Sequence, residues 1–213
     1  MNTRTLFLFL SALSSLSFPN FAQSANSALN TGSFPRTRLD VHQSLYSGEK
    51  GKSLAETSTA NGAGISVLSN GQYFVSLFGF DFSNMSGRQI FLDNTAEVMT
   101  SFDYYSATTK LGFQIFPIPR RTRGMNVYLV GLGLLSYNFI SLGKSATLTS
   151  IPRSDQSLAV GYAVGVGAEW ILSDTSANKW ALNAEASLRK ESATLFKQNF
   201  DFSSMVLSVG LSW

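Results

Sequence analysis

The chain has 213 residues, of which 44% are hydrophobic and only 14% are charged, against roughly 25% charged residues in soluble domains. Its net charge of +3, from 16 Lys and Arg against 13 Asp and Glu, is too balanced to predict a nucleic-acid-binding protein. There is no cysteine, which excludes disulfides, thiolate catalysis and cysteine-based zinc sites. The composition therefore favours a domain whose surface is either membrane-exposed or unusually apolar.

Residues 1–24 have the pattern of a secretory signal peptide: Arg4 supplies a positive start, residues 6–16 are apolar, and 22–24 form a small-x-small cleavage site. The apolar run is about half of the ~20 residues that a spanning helix needs. We expect residues 1–24 to be removed on export. We expect residues 25–35, rich in Asn, Ser and Thr, to be a flexible lead-in and residues 36–213 to form the folded domain.

The rest of the chain alternates with a period of two residues, which is typical of half-buried strands. The clearest segments are 105–115, 158–170, 180–189 and 203–213, whereas 72–82 and 126–139 are apolar on both faces, so their orientation stays open. Asn70-Gly71 predicts a two-residue hairpin turn. Eight strands are predicted, at about 36–46, 58–69, 72–83, 101–116, 126–139, 157–171, 180–190 and 200–213.

The faces of the segment 158–170 differ in residue size. One face carries Leu, Val, Tyr and Trp, and the other carries only Ala, Gly and Glu169. A soluble surface gains nothing from glycine, whereas the narrow lumen of an eight-stranded barrel favours small residues. Short connections at 70–71, 117–125 and 173–179 also alternate with mostly longer ones at 47–57, 84–100, 140–156 and 191–199, as in transmembrane barrels. The prediction is an all-β, eight-stranded antiparallel up-and-down barrel with its apolar faces toward lipid.

Two other structures are less favoured by the sequence. Residues 124–143 are uncharged over the length of a spanning helix, but they contain four glycines and stand alone in the chain. Gly-x-Gly patterns at 62–64, 131–133 and 165–167 do not complete a nucleotide-binding loop before a helix. With one histidine and no cysteine, we expect neither a metal ion nor another cofactor.

Six charged residues lie on the predicted inward face, where an unpaired charge would be costly. We expect them to pair into a packed polar core rather than to line a pore. Glu185 and Arg189 are four residues apart on one strand, so each needs a partner on another strand. The predicted network is Arg38, Asp40, Lys110, Glu169, Glu185 and Arg189.

His42 shares a face with Asp40 and Ser44, an order that suggests an acid, base and nucleophile. Neighbours two apart on a strand lie about 6.5–7 Å from each other, beyond hydrogen-bond reach unless the side chains bend. We therefore interpret His42 as a polar residue of the lumen or rim. The cluster at 120–123, which holds three arginines after Pro117 and Pro119, predicts a solvated turn whose arginines meet lipid phosphates.

The terminal strand MVLSVGLSW, the signal peptide and the eight alternating segments resemble the small bacterial outer-membrane β-barrels, the group of the outer-membrane protein A transmembrane domain and of proteins X and W. The resemblance covers essentially all of the mature chain. It implies a bacterial outer-membrane location, a periplasmic N-terminus and a last strand that is read by the barrel-assembly machinery. By position that signal falls on Leu207, Val209, Leu211 and Trp213. In the family the last residue is usually Phe, and here Trp213 takes its place. Aromatic residues near the strand ends are expected at the membrane interfaces: Tyr105, Phe139, Trp170, Trp180 and Trp213.

Fold alone does not imply function. We expect a non-catalytic monomer that contacts outer-membrane lipid and lipopolysaccharide and binds no nucleic acid. Its expected role is structural, or in surface interaction or adhesion through extracellular loops. The alternatives are a narrow channel for small or hydrophobic solutes and, more distantly, an enzyme that modifies lipid A.

Overall fold

The computed structural model describes residues 34, 36–46, 59–93, 96–143, 151–172 and 179–213. The predicted signal peptide and most of the predicted lead-in lie outside these residues, as do the whole connection 47–57 and most of the connection 173–179. Among the residues described, no helix is both long and apolar enough to cross a membrane. Residues 124–142, the candidate for such a helix, form a strand instead.

Nine strands are present in the described part of the chain. They are β1 (Thr37–Tyr46), β2 (Thr59–Leu68), β3 (Phe74–Asp93), β4 (Ala96–Ile115), β5 (Gly124–Leu142), β6 (Ser154–Ile171), β7 (Ala181–Leu195), β8 (Gln198–Asp201) and β9 (Ser204–Ser212).

Eight of these strands close into a barrel. Consecutive strands from β1 to β7 pair antiparallel, β7 pairs with β9, and β9 pairs with β1. The short strand β8 pairs only with the end of β7. The predicted eight-stranded antiparallel up-and-down barrel is therefore confirmed.

The two ends of the barrel differ. At one end, here called the terminal end, Phe34 and Trp213 lie beside the turns at 69–73 and 116–123. At the other, here called the ribbon end, β3 and β4 continue past their other neighbours as a two-stranded ribbon. β3 leaves β2 after Asn84, and β4 pairs with β5 only from Phe102 onward.

The ribbon corrects the prediction of a long loop at 84–100. β3 and β4 stay in register from Phe74↔Ile115 to Asp93↔Ala96. The outward side chains of the ribbon lie beyond the apolar surface of the barrel, so they need not be apolar. The contrast between the two faces is therefore weaker here, and the two-residue period is hard to recognise in the sequence.

The connection at 191–199 is also shorter than predicted. β7 continues to Leu195, turns at Phe196 and Lys197, and returns as β8. Both turn residues have positive φ, at 52° and 63°, a backbone conformation that suits a tight hairpin but is rare for a bulky residue. The last barrel strand accordingly begins at Ser204 rather than near 200.

The outer face of the barrel is an apolar belt. Val160 is 76% exposed, and the outward residues of β4 from Tyr105 to Ile115 are mostly apolar. These residues span about 25 Å along the barrel axis at a rise of about 3.3 Å per residue and a tilt of about 40°. Polar pairs such as Gln43–Asn61 bound the belt toward the ribbon end. The apolar faces point outward, as predicted.

The interior has three layers. An apolar cluster toward the terminal end includes Leu77, Phe116 and Tyr128, which also settles the inward face of β3 and β5. A second apolar cluster at the ribbon end includes Phe91 and Phe202. Charged and hydroxyl side chains fill the space between them. The interior is thus more apolar than the predicted polar core.

Candidate functional site

The middle layer of the barrel is built around Arg38 on β1. Its Nη1 lies 3.3 Å from Oε2 of Glu185 and donates to the Tyr128 hydroxyl at 3.2 Å. Its Nε lies 3.6 Å from Oδ2 of Asp40. The guanidinium therefore joins three strands, because Glu185 lies on β7 and Tyr128 on β5.

Lys110 on β4 joins the same layer from the opposite wall. Its ammonium lies 2.7 Å from Oδ1 of Asp81 and 3.8 Å from Oδ2 of Asp40. Asp81 is absent from the predicted network because the orientation of 72–82 could not be read from its sequence. The predicted network holds three cations and three carboxylates, so its charge balance gives no sign of a further acidic partner.

His42 lies closer to Asp40 than the strand spacing suggests. Its Nδ1 is 3.5 Å from Oδ1 of Asp40 because the two side chains lean together. Both are buried and face the lumen, so His42 is a lumen residue. Ser44 is buried on the same face.

Asp40, His42 and Asp81 present donor atoms that all lie within 4.8 Å of one another. Carboxylate and imidazole ligands at this spacing suit a transition metal. In this protein the Lys110 ammonium already contacts both carboxylates and supplies their positive charge. The adjoining cavity of about 40 Å³ has space for no more than a few water molecules.

Two glycines of β2 make room for this layer. A Cβ on Gly62 would lie 2.3 Å from Nε2 of His42, and one on Gly64 would lie 1.9 Å from Oδ1 of Asp81. The small residues of the lumen face therefore give space to large polar side chains on the neighbouring strands.

Arg189 lies on the ribbon-end side of the middle layer and pairs with Glu191. Its Nε donates to Oε2 of Glu191 at 2.9 Å, and its Nη2 donates to the Ser136 hydroxyl at 2.9 Å. Asn138 donates to the other Glu191 oxygen at 3.3 Å. Arg189 has its expected partner on another strand in Ser136 of β5, but its carboxylate partner Glu191 is two residues away on β7. Adjacent inward side chains on a tightly curved strand converge in the narrow lumen.

Glu169 pairs with Arg120, which corrects the prediction of a solvated turn for this arginine, whereas Arg121 and Arg123 are exposed. Arg120 is 3% exposed and Glu169 is 2% exposed. Arg120 donates through both Nε and Nη2, with Nε at 2.8 Å from Oε1, and Asn126 donates to the same oxygen at 3.1 Å. The Arg120 guanidinium also lies 4.3 Å from the centre of the Phe34 ring. One signal in the sequence could have identified this pair, because an isolated inward carboxylate such as Glu169 needs a nearby cation.

The ribbon end is closed by aromatic side chains. The ring of Phe91 on the ribbon lies 5.6 Å from that of Phe196 and 6.0 Å from that of Phe200. Below them, Tyr104 and Phe202 stack at 5.2 Å. The opposite face of the ribbon is exposed and carries the directly paired Ile90 and Met99, 45% and 63% exposed.

The aromatic residues expected at the interfaces lie at both edges of the belt. Trp170, Trp180 and Trp213 are exposed near the terminal end, where the rings of Trp180 and Trp213 are 5.8 Å apart. Tyr105 and Phe139 are a directly paired couple near the ribbon end, with rings 6.4 Å apart. The predicted assembly residues of β9 face outward, and their recognition by assembly machinery stays a prediction.

Comparisons with known proteins give similarity in structure only. No protein-family model and no curated protein sequence matches the chain. The structure is similar to Neisserial surface protein A, with a TM-score of 0.49, 15% identity, and coverage of 83% of this chain and 94% of that one. It is similar to the Yersinia pestis attachment invasion locus protein Ail in complex with the heparin analogue sucrose octasulfate, with a TM-score of 0.47, 14% identity and coverage of 84% and 97%. For the outer-membrane protein Ail of Yersinia pestis in a phospholipid bilayer nanodisc, the TM-score is 0.40, with 18% identity and coverage of 84% and 100%. The strand order and closed register show that the chain has the architecture of the small outer-membrane β-barrels.

Proposed function

We propose that this protein is a non-catalytic barrel of the bacterial outer membrane that acts in surface interaction or adhesion through its ribbon end. The terminal end would then lie in the periplasm. The observation that carries the proposal is the β3–β4 ribbon, which continues beyond the apolar belt and exposes one face.

The ribbon is suited to contact with a partner. Between the apolar belt of the barrel and the exposed pair Ile90 and Met99, the outer face of the ribbon carries polar side chains. The Ser86 hydroxyl donates to the Asp103 carboxylate at 2.6 Å. This polar layer supports a position of the ribbon outside the lipid. Beyond it, Ile90 and Met99 lie side by side in an exposed position. Packing of Phe91 beneath them holds the ribbon in place, which lowers the entropy cost of binding.

The interior supports a closed barrel over the alternative of a channel. Among the described residues, apolar clusters fill both ends of the lumen and ion pairs cross its middle. Ion conduction needs a continuous polar path. Single-channel recording in planar bilayers is expected to show a silent barrel, and steady conductance would favour the channel.

The position of His42 supports a non-catalytic role over a lipid-A-modifying enzyme. A catalytic base must lie within hydrogen-bond reach of its substrate, but His42 faces the lumen and is surrounded by strands β1 and β2. Mass spectrometry of lipid A from cells that express the protein is expected to show no change. A modification that is lost in His42→Ala would contradict the proposal.

The decisive experiment compares adherence of Gram-negative cells that display the wild-type barrel or a ribbon variant. In Ile90→Asn with Met99→Asn, the exposed apolar pair is lost while Phe91 stays in place. We expect adherence to an epithelial cell layer to fall to the level of cells without the barrel. A matched control, Ser192→Asn with Thr194→Asn on exposed positions of β7, should adhere like the wild type. Equal adherence of the ribbon variant, at equal surface expression, would overturn the proposal.

A further inference from the structure

The terminal end carries a basic surface that the proposed function does not use. Arg36, Arg121 and Arg123 are exposed there, and Lys179 is half-buried. Among the residues described, the acidic side chain at this end is Glu169, which is buried against Arg120. The ribbon end, by contrast, carries both exposed cations such as Lys197 and exposed carboxylates such as Glu97 and Asp103.

The basic residues lie at the depth of lipid headgroups. The backbone N–H of Arg36 donates to the carbonyl oxygen of Trp213 at 2.8 Å. Lys179 directly precedes Trp180, whose ring packs on that of Trp213. Tryptophan at the edge of an apolar belt marks the interface between hydrocarbon and headgroups. Arg36 and Lys179 therefore flank this boundary.

The turn that carries Arg121 is held by buried groups. Its backbone N–H donates to Oδ1 of Asn126 at 2.7 Å, and Asn126 donates back to the Arg121 carbonyl at 3.0 Å. Asn126 is in turn fixed by Glu169. While Arg120 points into the barrel, the Arg121 side chain is exposed on a turn whose backbone is already held by Asn126, so the backbone need not be ordered when the side chain binds an anion.

We propose that this surface, formed by Arg36, Arg121, Arg123 and Lys179, binds the phosphates of anionic phospholipids in the leaflet at the terminal end. Guanidinium and ammonium groups form charge-assisted hydrogen bonds with phosphate oxygens. A basic residue near the surface of an anionic leaflet favours binding by about fivefold. The surface selects anionic over zwitterionic headgroups and anchors the closed barrel from this side.

The test uses the folded barrel in nanodiscs of phosphatidylcholine and phosphatidylglycerol in equal amounts. Native mass spectrometry gives the ratio of the two lipids retained on the protein. We expect the wild type to retain phosphatidylglycerol in severalfold excess, and the excess to disappear in a variant with Arg36→Gln, Arg121→Gln and Lys179→Gln. The excess should also decrease as salt is raised.

A matched variant at the ribbon end, with Arg88→Gln, Arg153→Gln and Lys197→Gln on exposed positions, controls for total charge and should keep the excess. The difference in gel mobility between heated and unheated protein confirms that each variant is folded. An unchanged excess in the terminal-end variant, or an equal loss in both variants, would overturn the proposal. In nanodiscs that contain lipopolysaccharide, stronger loss of that lipid than of phosphatidylglycerol in the terminal-end variant would overturn the assignment to a phospholipid leaflet.

Discussion

Arg120 and Glu169 show how single residues make charge tolerable inside this barrel. The carboxylate is buried, but it accepts hydrogen bonds from Arg120 and from Asn126. Phe34 covers the guanidinium from the terminal end. A charge in such a place depends on its partner, because removal of one member leaves the other desolvated and unpaired.

Arg120→Met is therefore expected to lower the free energy of unfolding by about 3–5 kcal/mol, since it leaves Glu169 buried without its cation. The double variant Arg120→Met with Glu169→Leu should recover most of the loss. Urea titration of the folded barrel in lipid vesicles measures both. If the double variant were as unstable as the single one, packing of the arginine rather than its charge would explain the effect.

Gly165 offers a second test, of space rather than charge. A Cβ there would lie 2.3 Å from the backbone oxygen of Ala186 and 2.6 Å from Cβ of Ser187, so neither neighbour can rotate away. We expect Gly165→Ala to cost at least about 1–3 kcal/mol. At the lipid-facing Gly133 the nearest atom would be 3.6 Å away, and Gly133→Ala should be neutral or slightly stabilising. Equal effects of the two substitutions, measured by urea titration, would rule out crowding of the lumen.

The pattern of the sequence predicts which residues face the lumen better than it predicts their partners. In 158–170 the alternation of Gly and Ala with Val and Tyr is enough to place Glu169 inside. The partner of Glu169 depends on how the turn at 116–123 folds. The turn carries three arginines, and its sequence does not show which of them points inward. The partner Asp81 depends on register, which is set by contacts between strands rather than along one of them, and Glu191 lies in the segment 191–199 that the sequence analysis assigns to a connection.

At the scale of the element, the ribbon formed by the ends of β3 and β4 behaves differently from the strands within the belt. Within the belt, lipid demands apolar residues on one face, so the strands can be recognised from their alternation. Beyond Asn84 water meets the outer face, and polar residues such as Ser86 and Arg88 stand beside the apolar Ile90. The alternation of polarity fails although the strand continues, which is why 84–100 was predicted as a loop.

Phe91 is expected to hold the ribbon on the barrel. Its ring packs against Phe102, Phe196 and Phe200, and Phe91→Ala should remove about 3–5 kcal/mol of packing. We expect limited proteolysis of the variant in vesicles to cleave within 85–101 while the membrane-embedded fragments stay protected. Ile90→Ala, on the exposed face, is the control and should resist cleavage like the wild type. Resistance in Phe91→Ala would show that the ribbon is held by its backbone pairing alone.

At the scale of the whole molecule, the barrel combines an apolar outside with a partly polar inside, the reverse of a soluble barrel. The belt explains the low charge content, because most of the surface needs no charge to remain solvated. The charged residues that remain are concentrated in the lumen and at the two ends. The position of the belt, between the tryptophans of the terminal end and the polar pairs of the ribbon end, defines a midplane near Val164.

Substitution by arginine along β6 tests this placement. Val164 lies halfway between Leu158 and Trp170, and all three side chains are exposed on the outer face. Arginine at the centre of a lipid-facing barrel wall costs about 2–4 kcal/mol, whereas near an interface it costs about 0–1 kcal/mol. Val164→Arg should therefore reduce the free energy of unfolding in lipid vesicles far more than Leu158→Arg, although both replace an exposed apolar side chain on the same strand. In a soluble barrel neither substitution would be costly, because both arginines would be in water. Equal and small effects at the two positions would thus contradict the membrane placement, and equal and large effects would contradict the position of the midplane.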